Sequence, residues 1–277
     1  MLQLHWLEYA IEASLLGVFM VAACVAVAVF EHPASPLPRR FTSPFVRRVF
    51  IGVLMGLTAI ALIYSAPGQR SGAHMNPGTT LTFLVLGKVR SLDAVFYICA
   101  QFVGGIAGVL IARLVLRRAV SHDRVKCAAT LPGAGGLGIA WIAEFTIAFL
   151  LMSMILWSSN SAPTAPYTGL FAGLMVATFI AIEAPFSGMS MNPARTLGSA
   201  VHAGAFRGLW IYFTAPPLAM LSAAFLFTSV RGADSVYCAK LEHPHGHGCL
   251  FNCRIDHMPG WQATRLEQSG ISSVPPR

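Results

Sequence analysis

Residues able to do chemistry occupy three places in this sequence. The first is a cluster near its end, where Cys238, His243, His245, His247, Cys249, Cys253 and His257 fall within residues 238–257. Thiolates and imidazoles together suit zinc or copper, yet their spacing follows no standard zinc-site pattern. Three readings stay open: packing or incidental residues, a metal site, and a redox disulfide. The second place is a handful of polar groups inside apolar runs: Glu12, Glu144, Gln101 and Arg195. The third is a pair of related loops, SGAHMNPGTTL from Ser71 and SGMSMNPARTLGSA from Ser187. No nucleophile stands with a base near a plausible cavity, so an enzyme is not expected.

Asn76-Pro77 and Asn192-Pro193 each read as a helix start. Asn is a favoured N-cap, and Pro at the first helical position lacks an N–H that would go unpaired anyway. The run after Pro77 stays uncharged until Lys88, which predicts about 18 Å of helix against a hydrocarbon core of ~30 Å. Such half-spanning helices are tolerated at membrane depth only where protein buries their loops or a watery cavity meets them. Entering from opposite faces, they would bring two positive N-terminal ends together near the midplane.

The surroundings agree with a membrane. The chain has 277 residues, 55% hydrophobic and 11% charged, far from the composition of a soluble domain. Segments 11–30, 49–66, 94–116, 139–157, 169–184 and 209–230 are long and apolar enough to span. We expect the first to remain in the mature protein, since Glu8 and Glu12 stand where a signal peptide would be basic. The net charge of +8 comes largely from arginines flanking the spans, among them Arg39, Arg40, Arg47, Arg48, Arg117 and Arg118. That pattern fits headgroup anchoring to membrane lipid and no nucleic-acid partner.

Glu12 opens the first span and Glu144 the fourth, so repeat one covers about residues 8–118 and repeat two about 138–230. Three spans per repeat is odd, so the second copy must lie inverted relative to the first. The expected fold is an all-α membrane protein of six transmembrane helices and two half-helices, with a channel domain over 1–232 and a Cys/His-rich tail over 233–277. Glu12 and Glu144 are read as supports accepting hydrogen bonds from the unwound loops, and Gln101 as a buried hydrogen-bonding residue. Gly52, Gly56, Gly104, Gly105 and Gly108 imply close helix approach. Cys24 and Cys99 read as packing residues. Arg195, three residues past Asn192 at membrane depth, is read as a fixed cation lining a wet constriction.

The two Asn-Pro half-helices, the paired glutamates and the runs AHMNP and MNPARTLGSA resemble the aquaporins, or major intrinsic proteins, over about residues 8–230. The resemblance implies a homotetramer of narrow pores for water and small neutral solutes, in a plasma or bacterial inner membrane, with no cofactor. It implies that Asn76 and Asn192 donate to the permeating molecule, that Arg195 stands at the outer constriction, and that the His74 carbonyl lines the inner pore. Aligned on the loops, the remaining constriction positions fall on Met189, on Met55 or Gly56, and on Thr178. Water-selective members usually carry a bulky aromatic and a His at the last two.

Other positions lean the opposite way. Thr196 follows the arginine where glycerol-conducting members usually have Asp, and Tyr212-Phe213 looks like the water-channel branch. The substrate signature is mixed: water is favoured, with a glycerol- or urea-type facilitator as the alternative. Gly78 replaces the usual Ala, which should loosen packing between the half-helices. The resemblance puts both termini in the cytoplasm, whereas counting basic residues points the other way. Two rival classes remain: a coupled transporter, which lacks enough intramembrane charges, and a metal-responsive sensor or gated pore using the tail.

Overall fold

The computed structural model describes residues 4–243 and 249–262. His245 and His247 therefore lie outside the described residues. The main elements are α1 (Trp6–Glu31), α2 (Pro44–Tyr64), α3 (Pro77–Val85), α4 (Ser91–Leu116), α5 (Gly136–Ser159), α6 (Thr168–Ile182), α7 (Pro193–Ala203) and α8 (Leu209–Arg231). Six of them, all but α3 and α7, are long and apolar enough to cross a membrane, α6 together with the 3-10 turn that leads into it (Ala165–Ile182), and no strand occurs among the described residues. The first half-helix is shorter than the uncharged run predicts. Nine residues give about 13 Å, because the chain turns at Gly87 (φ 70°) before Lys88 is reached.

Two-fold pseudosymmetry governs the packing. Helix α1 packs on α4 and its counterpart α5 on α8, while α2 meets α6 across the two repeats. The half-helices are exchanged: α7 lies against α4 of the first repeat, and α3 against α8 of the second. Each repeat thus completes the other's core. Close approach depends on missing side chains. A Cβ on Gly104 would stand 2.1 Å from the Ala13 carbonyl oxygen, and one on Gly56 would stand 2.5 Å from that of Gly173. Large apolar side chains such as Val103, Leu114, Val115, Ile142 and Phe225 are left exposed on the outer faces, where hydrocarbon would cover them.

Beyond α8, the described tail folds back on the end of the molecule where the first loop begins. Tyr237 N donates to Asn160 Oδ1 at 2.7 Å, and Asn252 N to the Lys88 carbonyl at 2.9 Å. Leu241 N donates to the Gly72 carbonyl at 3.2 Å.

Candidate functional site

The two loops are built to one plan. Gly72 and Gly188 take positive φ (94° and 83°) and end short helical turns. Ala73, Met75, Met189 and Met191 follow with φ between 48° and 55°, a left-handed backbone that non-glycine residues hold only when their surroundings fix it. What fixes it is a buried carboxylate under each loop. Glu12 Oε1 accepts from Ser71 Oγ (2.8 Å) and His74 N (3.0 Å), and its Oε2 from Met75 N (2.7 Å) and Gln101 Nε2 (2.9 Å). Glu144 Oε1 accepts from Ser187 Oγ (2.6 Å) and Ser190 N (2.7 Å), and its Oε2 from Met191 N (2.7 Å). Tyrosines close the frame: Tyr97 donates to the Ser71 carbonyl at 2.8 Å, and Tyr212 to that of Ser187. The two serines and Tyr97 escaped sequence reasoning, although the Ser-Gly pair opening both loops was the visible signal for the serines; Tyr212 figures there only as part of an aromatic pair.

The loops meet at the asparagines. Asn76 Oδ1 accepts from Gly78 N, and Asn192 Oδ1 from Ala194 N and Arg195 N, capping α3 and α7. Because backbone N–H groups only donate, these contacts fix which end of each carboxamide is oxygen. Each nitrogen then crosses to the opposite loop, Asn76 Nδ2 to the Met191 carbonyl and Asn192 Nδ2 to the Met75 carbonyl, both at 2.7 Å. A carboxamide nitrogen carries two hydrogens, so each asparagine retains one donor.

A cavity of about 350 Å³ runs past this junction. Its polar lining includes His74, Asn76, Thr79, Ser190, Asn192 and Arg195, with Glu31, Arg48, Arg124 and Lys126 also contributing. Its apolar lining includes Leu16, Met55, Ala59, Ile155, Val176 and Ile180. Among the described lining residues the only rings are Phe19 and the His74 imidazole. Arg195 Nη1 donates to the Ala128 carbonyl at 2.8 Å, which points the guanidinium along the wall.

Of the sequence-predicted residues, Asn76, Asn192, Arg195, His74, Met189 and Met55 line the cavity. Thr178 and Gly56 do not. Thr178 is exposed on the outer face of α6, its hydroxyl donating to the Leu174 carbonyl. On that helix Val176 and Ile180 face the cavity instead. Gly56 is buried in the α2–α6 crossing. At Gly78, where looser packing between the half-helices is expected, the place of the missing methyl is taken by the Met220 thioether of α8, whose Sδ lies 2.8 Å from where a Cβ would stand. Gln101 donates to Glu12 and to Thr80 Oγ1.

His74 links the first loop to the tail. Its Nε2 donates to the Ala239 carbonyl at 2.8 Å, leaving Nδ1 to accept from Thr80 Oγ1 at 3.1 Å. The ring stacks between Phe83 (5.4 Å) and Phe251 (5.3 Å, 7° between planes). Leu241, further along the same stretch of tail, reaches the cavity, and sequence reasoning gave no hint of it. Nearby, burial pushes the Glu242 carboxyl up to about 7.

The profile of the major intrinsic protein family matches residues 8–227, most of the chain. The chain belongs to the major intrinsic protein family. Its members are multi-pass membrane channels for water and small solutes, and not enzymes. Probable aquaporin NIP4-2 of Arabidopsis thaliana is 35% identical over 185 residues, covering 66% of this chain and 63% of that protein. Aquaporin NIP1-2 of the same plant is 33% identical over 234 residues, covering 80% and 74%. This chain thus spans under two thirds of the length of the first relative and about three quarters of the second. The X-ray structure of the aquaglyceroporin from Plasmodium falciparum superposes with a TM-score of 0.66 at 16% identity, covering 83% of this chain and 98% of that one. That likeness concerns the fold. The family match ends before Cys238.

Proposed function

We propose that the chain is a passive channel in which water and small neutral solutes pass in file through the cavity beside Asn76, Asn192 and Arg195. The observation that carries this reading is the pair of asparagine carboxamides, each locked by its own helix and by the opposite loop, each with one donor left at the junction of two helix N-termini. A molecule passing there meets donors at this junction among a largely apolar lining, so it turns its acceptor lone pairs to the asparagines and to Arg195. Two positive helix ends and a guanidinium oppose cations and protons. The lining carries a single Phe, Phe19, among its described residues, and this supports passage of neutral solutes larger than water. The intact assembly under this reading is a homotetramer in lipid.

The test is stopped-flow light scattering on proteoliposomes, comparing osmotic water flow with glycerol and urea uptake, alongside a pH-gradient dye. The expected outcome is water flow above that of empty vesicles, measurable solute uptake and no added proton leak. Protein-dependent proton flux, or no water flow from correctly folded protein, refutes the reading.

A further inference from the structure

Four side chains outside the family-matched region converge in the tail. Cys238, His243, Cys249 and Cys253 present ligand atoms that all lie within 4.8 Å of one another. Cys238 Sγ and Cys249 Sγ are 3.6 Å apart, and Cys253 Sγ is 3.3 Å from His243 Nε2. A tetrahedral zinc ion with bonds of about 2.0–2.3 Å has ligand-to-ligand edges of roughly 3.5–3.8 Å, so two of the edges are already near their final length. A disulfide needs sulfurs about 2.05 Å apart, and none of the described cysteines is so joined. Three thiolates and one imidazole form a closed four-ligand set with no place left for a reacting water, the composition of a structural zinc site.

The charges around the cluster point the same way. Lys88 and Lys240 are buried, 7% and 3% exposed, which is costly without a negative partner. Lys240 lies two residues from Cys238, and the Lys88 carbonyl accepts from the N–H of Asn252, the neighbour of Cys253. Zinc(II) on three thiolates carries one net negative charge, which would add to Asp234 in balancing Lys88 and would stand close to Lys240.

Both arms that supply ligands also grip the mouth of the cavity. Between Cys238 and His243, Ala239 accepts from His74, and Leu241 bonds Gly72 and lines the cavity. Between Cys249 and Cys253, Phe251 stacks on His74, and Asn252 bonds the Gly87 and Lys88 carbonyls. We propose that Cys238, His243, Cys249 and Cys253 bind one zinc(II) ion, which cross-links these arms and fastens the tail over the mouth beside the first loop. The fastening role rests on the channel reading above; the site itself does not. Zinc bound there narrows the passage at Leu241, and its loss releases the cap.

The full chain is purified without a polyhistidine tag and its metal measured by mass spectrometry. About one zinc per chain is expected, and the Cys249→Ser, Cys253→Ser double variant should hold at least about tenfold less. Cys253→His, which keeps a ligand, and Cys24→Ser in α1 should both retain zinc, guarding against a general folding defect. Cobalt(II) loaded in place of zinc should give the absorption of a tetrahedral thiolate complex in the wild type and not in the double variant. Absent metal, or equal metal in wild type and double variant, overturns the site. In proteoliposomes a membrane-permeant chelator should raise water flow through the wild type, zinc should reverse it, and the double variant should respond to neither. Loss of zinc with unchanged flow overturns the fastening role. Metal content is read whether or not the protein conducts, so a silent channel counts against the proposed function and not against the site.

Discussion

Replacing Glu144 tests whether the buried carboxylates hold the loops by counting donors. In the wild type Glu144 satisfies Ser187 Oγ, Ser190 N and Met191 N. Gln has the same shape and one acceptor oxygen. With that oxygen in the Oε1 position two bonds survive, and the new amide group faces the Met191 N–H, donor against donor. One buried backbone donor is left unmet, at about 1–3 kcal/mol, and the surviving bonds lose their charge assistance. Ala removes every acceptor and strands two backbone donors, for about 2–6 kcal/mol by the same rule, with a cavity besides. Glu144→Gln should therefore unfold earlier than wild type in detergent, followed by intrinsic fluorescence, and Glu144→Ala earlier still or not fold. Glu12→Gln should resemble Glu144→Gln although Glu12 has one more donor, because Gln101 can rotate its unpartnered Oε1 toward the new amide. A Gln variant as stable as wild type, or an Ala variant no less stable than Gln, would refute the donor-counting argument.

Arg195→Val should keep a folded pore and raise urea and glycerol uptake by about tenfold, equivalent to ~1.4 kcal/mol off a barrier; unchanged solute exclusion would mean that the guanidinium does not line the constriction. Gly56→Ala should be severely destabilising, since its Cβ meets the Gly173 carbonyl oxygen at 2.5 Å, whereas Gly138→Ala, with nothing within 4 Å, should be neutral or gain up to ~1 kcal/mol of helix propensity; equal stabilities in a thermal melt would contradict the packing. A membrane-impermeant thiol reagent applied to intact cells in the presence of a permeant chelator should spare Cys249 and Cys253, and label them only after permeabilisation; labelling from outside would place the tail on the outer side.

The parts legible in the sequence were those set by local chemistry. Asn followed by Pro starts a helix wherever it stands, so both half-helices were visible, and hydropathy placed six spans to within a few residues of their observed ends. Glu12 and Glu144 stood out because isolated carboxylates in apolar runs need a reason. What stayed hidden depends on contacts between distant segments. Thr178 and Val176 are two residues apart, which turns about 200° around a helix, so a small alignment shift exchanges the cavity face for the outer one. The rotation of α6 is fixed by Gly173 and Ala177 against Gly56 and Gly52, which no local pattern reveals. Met220 filling the space above Gly78 is a contact of the same kind. The four tail ligands looked irregular because the ion-sized gap between them is closed by folding back, not by spacing along one strand.

Orientation is where charge counting and the structure part company. Several arginines that weight the count toward one face serve the protein itself. Arg47 binds Glu31 and the Phe41 and Thr42 carbonyls, and Arg48 donates to the Ala181 carbonyl. Cations fixed in this way secure a connector and a helix end, and their number is set by those contacts as well as by the side of the membrane they face. The thiols supply an independent argument. Free cysteines persist in reducing compartments, and three gathered at one end of the molecule, their sulfurs within 4.8 Å of one another and those of Cys238 and Cys249 3.6 Å apart, would be prone to couple in an oxidising one unless metal holds them. The first turn of α1 is tied to this same end, through Glu8 to Arg70 and through Tyr9 to Asp93. Under the proposed function, cysteine chemistry favours a cytoplasmic position for the N-terminal end and the tail together, the topology the family resemblance implies, while Arg39, Arg40, Arg117, Arg118 and Arg124 still count toward the other side.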